Sequence, residues 1–301
     1  AALAVIDLTS RTLHNLDTTL AQVIGSVPPI GAITLRSICG IDTGIVARLT
    51  PTHAVLMPHG GPAVLDAIAK ALTDLGLDHA DDLTAWQRFP EAESDIEAEM
   101  LVALARAQSP LAVDLLLDQP RRWGSTTDHQ PSDRDRRLNR LIDAPVVAAV
   151  GPPNVGKSSL LNALVGRDAA LVADQAGTTR DHIGATIDLA GLVVHWVDTP
   201  GRRSAKGVEA QAIANAKPVI AAADLVVAIG DAASPDPRTV SPRRPDLTVA
   251  ARSDLGGPAW DADVAVSSHA GTNLDTLVAA IRDTLVPPAD LESTEPWRFW
   301  G

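Results

Sequence analysis

Hydrophobic residues along this chain recur in two different patterns, and the change lies near residue 145. Before that point, short apolar runs bounded by turn residues predict three strands. These strands cover residues 3–8, 30–35 and 53–57. Apolar residues at helical spacing then predict a helix over residues 62–75, which Gly76 ends. Strands and a helix in this order indicate a small α+β module.

A helical stretch lies between the two patterns. Residues 92–117 have a helical pattern, and one face of the first helix carries Ile96, Met100, Leu101 and Leu104. Ser109 followed by Pro110 predicts that a second helix begins there, since proline is favoured at the first helical position. Residues 121–142 are polar and charged, which predicts a linker or a solvated helix.

After residue 145, strands alternate with helices. The predicted strands cover residues 146–150, 183–189, 192–197, 224–229, 247–250 and 264–266. Such alternation predicts an α/β domain with a mainly parallel sheet and helices on both faces. The proline-rich residues 231–246 are an exception, because repeated prolines disfavour a helix.

Composition excludes several classes of protein. Hydrophobic residues make up 46% of the chain and charged residues 21%, which is typical of a globular protein. No apolar run reaches the roughly 18 residues of a membrane span, and the first residues do not resemble a secretory leader. We therefore expect a cytoplasmic protein. The single cysteine, Cys39, excludes an intramolecular disulfide, and we interpret it as a buried, inert thiol.

The charge balance bears on nucleic-acid binding. The formal net charge is −12, whereas broad binding to nucleic acid depends on Lys and Arg neutralising phosphates. The chain has no Tyr and two Phe, so aromatic platforms for stacking bases are scarce. Both observations argue against tRNA binding by the chain itself.

A phosphate-binding loop directly follows the predicted strand 146–150. Its residues are Gly151, Pro152, Pro153, Asn154, Val155, Gly156, Lys157, Ser158 and Ser159. A strand, a glycine loop and a helix start form the context that the P-loop pattern requires. The glycines let backbone N–H groups face phosphates, and the helix N-terminus adds positive charge. We expect Lys157 to contact the β- and γ-phosphates and Ser158 to bind Mg²⁺.

Two later segments have the order and spacing of further nucleotide contacts. Asp198, at the end of a hydrophobic strand, is expected to hold Mg²⁺ through water, and the Gly201 amide to reach the γ-phosphate. Upstream, Thr178 and Thr179 offer hydroxyls, and we select Thr179 as the second side-chain ligand of Mg²⁺.

Two loops after later strands are candidates for recognising the base. Asp254 offers a carboxylate that accepts both the N1 and N2 hydrogens of guanine, a donor pair that adenine lacks. Arg252 would lay its stem over the base. Ser267 and Ser268 follow the next strand, where a backbone amide would contact the guanine O6. The expected ligands are therefore GTP and GDP.

With these motifs, the chain resembles the MnmE (TrmE) family of tRNA-modification GTPases, which belongs to the TrmE-Era-EngA-like P-loop GTPases. Residues 168–181 look like the first switch of that family, and His59-Gly-Gly looks like its N-terminal histidine–diglycine motif. The resemblance implies an abbreviated N-terminal α+β domain (1–85), a helical segment and linker (86–144), a Ras-like G domain (145–287) and a tail (288–301). It also implies a truncated member that lacks the family's C-terminal cysteine.

The resemblance implies a mechanism. Asn154 would bind K⁺, with backbone carbonyls of residues 173–176, and the cation would act in place of an arginine finger. Lys157 and Thr179 would assist in catalysis, and Glu209 would orient the attacking water. Glu209 also fits a solvated helix residue without a catalytic role.

The chain departs from the family at three positions. The guanine motif normally reads Asn-Lys-x-Asp, whereas here Ala251 and Arg252 take the first two places, which predicts weaker GTP binding. Asp7 stands where the N-terminal folate-binding domain normally has arginine, which argues against binding of a one-carbon donor. Residues 231–246 replace a helix.

Three functional hypotheses follow. The first is a GTPase using Mg²⁺ and K⁺. The second is a regulatory nucleotide-binding protein with little hydrolysis and no role in tRNA modification. The third is a component of tRNA modification that acts through a partner protein, and the resemblance further implies a homodimer formed by the N-terminal domain. The aromatic tail, Trp297, Phe299 and Trp300, either docks to a partner or folds back onto the G domain.

Overall fold

The computed structural model describes residues 3–10, 13–78, 83–89, 91–124, 129–166, 184–198 and 218–300. The chain forms two compact units, residues 1–102 and 103–301. The four-part division predicted from the sequence, with boundaries after residues 85, 144 and 287, stays a prediction.

In the described part of the first unit, four strands form an antiparallel sheet. The strands are β1 (Ile6–Thr9), β2 (Ile33–Ile38), β3 (Asp42–Thr50) and β4 (His53–Met57). They lie in the order β1-β4-β3-β2. The helices are α1 (Leu13–Ile24), α2 (Pro62–Asp74), α3 (Ala85–Arg88) and α4 (Asp95–Arg106), the last of which continues into the second unit.

The sequence pattern located part of this unit and missed three of its described elements. The strand at 53–57 is confirmed, and the predicted helix at 62–75 ends one residue earlier. Helix α1, strand β3 and helix α3 were not predicted. The signal for α1 was present, since Leu16, Leu20, Val23 and Ile24 recur at helical spacing and are buried. In β3, Arg48 is buried, and its guanidinium bonds Asp17 at 2.5 Å and the Pro28 carbonyl at 2.9 Å.

Two singled-out residues of the first unit have local roles. The His59 backbone N–H donates to Asp42 Oδ2 at 2.8 Å, and the ring Nδ1 lies 3.0 Å from Asp42 Oδ1. His59 thus belongs to a turn held by Asp42 ahead of α2. Cys39 is half-buried rather than fully buried, and burial raises the pKa of its thiol, which keeps the reactive thiolate scarce.

The second unit begins with helices and continues as an α/β domain. The helices before the sheet are α5 (Ala112–Leu117), α6 (Gln119–Trp123) and α7 (Asp133–Leu138). The strands are β5 (Val146–Val150), β6 (Gly184–Leu189), β7 (Leu192–Asp198), β8 (Leu225–Gly230), β9 (Leu247–Ala250) and β10 (Val264–Ala265). The later helices are α8 (Lys157–Val165), α9 (Leu274–Leu285) and α10 (Pro288–Glu292).

The predicted mainly parallel sheet is confirmed. Within the described residues, its six strands lie in the order β10-β9-β8-β5-β7-β6, and only the β6–β7 pair is antiparallel. Strands β5 and β8 are apolar along their length because both faces of the sheet are covered. The carboxyl ends of β5, β7, β8 and β9 therefore meet at one edge, the place where α/β folds bind ligands.

Residues 231–246 form no α-helix, as the prolines predicted. The structure has only a short 3₁₀ turn there, Pro237–Thr239. His195 lies inside β7, half-buried, with its Nδ1 3.0 Å from Thr186 Oγ1 on β6, which agrees with a packed strand residue.

The predicted helix start at Pro110 was wrong. Helix α5 begins at Ala112, after a turn. Ser109 does not cap it, because its buried hydroxyl accepts the backbone N–H of Val193 at the start of β7. The serine that looked like a helix cap instead attaches this turn to the sheet.

The prediction of a linker or solvated helix over residues 121–142 was also wrong. The segment holds the end of α6, all of α7 and a 3₁₀ turn, Asn139–Leu141. Asp135, Leu138 and Leu141 are buried. Four of its six arginines bond atoms near the chain's end: Arg122 to Ser293 O, Arg134 to Pro296 O, Arg137 to Asp290 and Arg140 to Leu285 O.

The aromatic tail folds back, and the surface that it covers is this helical segment. Trp297 is fully buried and Phe299 nearly so. The Trp297 backbone N–H donates to Gln119 Oε1 at 2.8 Å, and its indole N–H donates to Asn139 Oδ1 at 2.9 Å. The Trp123 indole in turn donates to the Trp297 carbonyl. The tail is therefore part of the second unit's core.

Candidate functional site

The phosphate loop connects the end of β5 to the start of α8. Its backbone has positive φ at Gly151 (154°), Asn154 (65°) and Gly156 (102°). A Cβ on Gly151 would lie 2.0 Å from the carbonyl oxygen of Ile229 in β8. Only glycine allows this approach, so the loop is packed directly against the neighbouring strand.

Lys157 curls back over this loop. Its ammonium donates to the carbonyl oxygens of Gly151 at 3.2 Å and Pro152 at 2.9 Å. Burial lowers the pKa of Lys157, and the nearby Asp198 carboxylate partly offsets this effect. The structure thus places the positive charge inside the loop, at the first helical position of α8.

Ser158 and Asp198 meet beside the loop. Asp198 ends β7, and in the parallel register it pairs with Ala149 of β5. The Ser158 hydroxyl donates to Asp198 Oδ2 at 2.6 Å. The other oxygen, Asp198 Oδ1, is buried and has no hydrogen-bond partner among the described residues. An unpaired buried carboxylate oxygen is costly without a ligand, which makes this position fit a cation.

The two oxygen donors suit Mg²⁺ in particular. Mg²⁺ prefers oxygen ligands and is commonly bound through one or two protein groups together with waters and substrate phosphates. No group of three or more His, Cys, Asp or Glu side chains within the described residues could hold a metal ion on its own. Ser158 and Asp198 would therefore share Mg²⁺ with a bound phosphate.

A cavity of about 270 Å³ lies next to the phosphate loop. Its lining residues are Gly156, Ser159, Ala251, Arg252, Asp254, Leu255, Ser268 and His269. The loop after β9 and the loop after β10 meet here, since the Ser253 N–H donates to the Val266 carbonyl at 3.0 Å. The sequence-predicted base contacts are thus brought to one cavity with the end of the phosphate loop.

Asp254 provides the negative charge of this cavity. A hydrogen bond from the Ser267 hydroxyl lowers the pKa of Asp254, and His269 and Arg252 add smaller electrostatic effects. Ser267 itself is buried behind the cavity, whereas Ser268 lines it. The carboxylate is therefore ionised at neutral pH and available to a ligand that offers hydrogen-bond donors.

Arg252 has a partner that sequence reasoning missed. Its Nη1 donates to Asp231 Oδ2 at 3.1 Å, and Asp231 is 8% exposed. Asp231 directly follows β8, and Arg252 lies two residues beyond β9, so both lie at the same sheet edge. An acidic residue placed directly after a buried strand was the available signal. Ala251, in contrast, adds only a buried methyl group to the cavity wall.

Four predicted site residues lie outside the described residues: Thr178, Thr179, Gly201 and Glu209. The carbonyls of residues 173–176 lie outside them as well. The structure therefore brings together the phosphate loop, Asp198 and the base contacts, and says nothing of the others.

Comparison with known proteins identifies the family. Residues 146–251 match the model of the 50S ribosome-binding GTPase family. The tRNA modification GTPase MnmE of Acidiphilium cryptum is 31% identical to this chain, over 87% of the chain and 74% of that protein. The chain belongs to the MnmE family of tRNA modification GTPases. It is thus a P-loop GTPase by membership.

Two further MnmE proteins and one solved structure are similar to this chain. The MnmE of Rhodospirillum rubrum is 34% identical over 76% of the chain and 63% of that protein. The MnmE of Methylobacterium radiotolerans is 46% identical over 48% of the chain and 34% of that protein. Among solved structures, Era of Aquifex aeolicus bound to GDP and AlF4⁻ shares 28% identity over 46% of this chain and 56% of its own, with a TM-score of 0.37.

Ala251 and Arg252 occupy the first two positions of the predicted guanine motif. Elsewhere in the described residues, the phosphate loop keeps the full P-loop pattern. None of the described helices combines the length and apolar character that crossing a bilayer requires.

Proposed function

We propose that the chain binds GTP with Mg²⁺ at this site and hydrolyses it to GDP and phosphate. The observation that carries the proposal is the Ser158–Asp198 contact beside the buried, unpaired Asp198 Oδ1. A hydroxyl and a carboxylate held beside the end of a phosphate loop are a donor set that Mg²⁺ accepts. When bound, Mg²⁺ neutralises charge on the phosphates.

The phosphate loop binds and orients the phosphates. Its positive-φ backbone and the N-terminus of α8 direct N–H groups and positive charge to one place. Lys157 exchanges its contacts with the Gly151 and Pro152 carbonyls for phosphate oxygens and places a charge on the β- and γ-phosphates. Val155 and Ser159 belong to the same cradle.

The neighbouring cavity holds the base. Asp254 accepts the N1 and N2 hydrogens of guanine, Arg252 covers a face of the ring, and the loop with Ser267 and Ser268 supplies a backbone amide to O6. The support for this assignment is that these residues line, or lie directly behind, one cavity next to Gly156.

The remaining roles rest on the family resemblance. Asn154 holds K⁺, Thr179 ligates Mg²⁺ with Thr178 beside it, the Gly201 amide contacts the γ-phosphate, and Glu209 orients the water. The left-handed backbone at Asn154 is compatible with this role, since it is an uncommon conformation held at a functional loop.

The test is GTP hydrolysis by the full chain in K⁺ and in Na⁺. We expect turnover at least about tenfold faster in K⁺, since a charge in the place of an arginine finger contributes up to roughly 10³–10⁵-fold. Asn154→Gly should abolish the difference while keeping the backbone conformation, because glycine accepts φ 65°. Asn273→Gly, the same change at a left-handed asparagine outside the phosphate loop, should preserve it.

A second candidate function is regulation by nucleotide binding with little hydrolysis. The apolar wall at Ala251 favours it, because the cavity there lacks the side-chain hydrogen bonds of an asparagine. GTP binding with equal, near-zero turnover in both salts would establish this function and overturn the hydrolytic one.

A role in tRNA modification rests on what the relatives are named for, and it would operate through a partner protein. The acidic charge of −12 does not favour direct tRNA binding. A homodimer and a cytoplasmic location stay predictions from the sequence.

A further inference from the structure

Asp231 is held in a fixed position at the carboxyl end of β8. Its Oδ1 accepts the Ala233 backbone N–H at 3.1 Å. Its own backbone N–H donates to the Ser234 hydroxyl at 2.8 Å, and that hydroxyl donates back to the Asp231 carbonyl. The turn thus fixes the carboxylate, and Oδ2 points at the guanidinium of Arg252.

Arg252 is fixed at its backbone as well. Its backbone has φ 55°, in the left-handed region. The residues on both sides are held by backbone hydrogen bonds: the Ala251 N–H donates to the Gly230 carbonyl at 2.8 Å, and the Ser253 N–H donates to the Val266 carbonyl. A Cβ on Gly156 would lie 3.7 Å from Arg252 Nε. The guanidinium therefore lies between the end of β8 and the last residue before α8, at the wall of the cavity.

A guanidinium can do two things at once in this position. Its N–H edge binds a carboxylate, while its planar face stays free to stack on an aromatic ring. The ammonium of a lysine has no such face. A purine ring in the cavity offers the matching surface.

We propose that Asp231 is a positioning residue for purine binding, because it holds the Arg252 guanidinium against the base. Arg252 then supplies affinity for any purine ring, and Asp254 supplies the preference for guanine. The inference rests on the proposed nucleotide site and adds to it a residue outside the guanine motif.

The test is displacement of a fluorescent GDP from the full chain by GDP and by IDP, which lacks the exocyclic amine. Asp231→Asn keeps an oxygen for the Ala233 N–H but removes the charge that holds Arg252. Arg252→Met keeps most of the stem without the guanidinium. The matched control is Asp236→Asn, since Asp236 pairs with Arg238 and does not line the cavity. Each variant's melting temperature is compared with that of the unmodified chain.

We expect Asp231→Asn to weaken GDP and IDP equally, by about threefold to tenfold, and Arg252→Met to weaken both by about fivefold to thirtyfold. The double variant should match Arg252→Met alone, because Asp231 acts through Arg252. Asp236→Asn should bind like the unmodified chain.

Three results would overturn the inference. The first is that Asp231→Asn binds GDP with an affinity within twofold of the unmodified chain. The second is that Asp231→Asn changes the ratio of GDP affinity to IDP affinity. The third is that the double variant binds GDP clearly more weakly than Arg252→Met alone. If Asp231→Asn does not fold, unequal loss of GDP and IDP in Arg252→Met overturns it instead. An unmodified chain that binds no GDP would refute the proposed function itself, a distinct outcome.

Discussion

The phosphate half and the base half of the site are built in different ways. The phosphate half is made of backbone: Gly151 touches the Ile229 carbonyl, and Lys157 bonds carbonyls of its own loop. The base half is made mainly of side chains from two loops, with Asp254 and Arg252 on its walls and Asp231 bonded to Arg252. The first half keeps the family pattern, whereas the second departs from it.

The contrast shows where a nucleotide site can change. A backbone cradle fails as a unit when one glycine is replaced, because the clash is with another strand's backbone. A side-chain wall can be altered one residue at a time, since a new pair can replace a lost hydrogen bond. Ala251 and Arg252 stand where the resemblance leads one to expect asparagine and lysine, and the Arg252 side chain is bonded to Asp231.

The largest effect is expected from Gly151→Ala in the phosphate half. The added Cβ would lie 2.0 Å from the Ile229 carbonyl oxygen, with φ at 154°, so the β5–β8 contact must open. We expect a loss of about 3 kcal/mol or more of stability, from overpacking and backbone strain together, and no GDP binding. Thermal unfolding and GDP titration measure both quantities.

The control for this variant is Gly257→Ala in the same unit. Gly257 has no atom within 4 Å of an added Cβ, so its melting temperature and GDP affinity should stay near those of the unmodified chain. Normal GDP binding by Gly151→Ala would mean that the phosphate half does not depend on its backbone cradle. The two halves of the site would then not differ in the way described above.

A smaller effect is expected from Asp198→Asn, which retains the shape and one oxygen of the side chain. The concentration of Mg²⁺ that half-saturates GTP hydrolysis should rise by roughly 10–100-fold, the range for residues that act on a metal through an intermediate group. Asp188→Asn on the neighbouring strand is the control, because Asp188 accepts the Gly191 N–H in a turn away from the phosphate loop. If Asp198→Asn needs the same Mg²⁺ concentration as the unmodified chain, Asp198 does not take part in binding Mg²⁺.

The same division explains what could be predicted from sequence. The phosphate loop is contiguous, and strands β5 and β9 are short apolar runs buried on both faces, so local pattern sufficed for their bounds. The contact between Arg252 and Asp231 joins residues 21 apart, and only the sheet order brings them together. The prediction therefore identified Arg252 and missed its partner.

In the segment 121–142, contacts with residues even further away in the sequence made the prediction fail. Five of its charged residues have partners 145 to 171 residues later, which no local pattern indicates: Arg122, Arg134, Asp135, Arg137 and Arg140. Arg137 bonds Asp290, and Asp135 accepts the Arg298 N–H at 2.9 Å. Charges that satisfy distant backbone groups have no periodic signal, so burial of this kind is not readable from local pattern.

The smallest effect is expected for the base half as pH changes. The Ser267 hydrogen bond lowers the pKa of Asp254 below its ordinary value of 3.8, so the carboxylate stays charged at every pH above that value. The roughly tenfold preference for GDP over IDP that one charged hydrogen bond gives should therefore be constant from pH 8 to pH 5. It should be lost only as the pH falls below 3.8.

Taking the ratio of the two affinities cancels titration of the phosphates, and Asp254→Ala should show no preference for GDP over IDP at any pH. A preference that disappears with a midpoint between pH 5 and 7 would contradict this assignment.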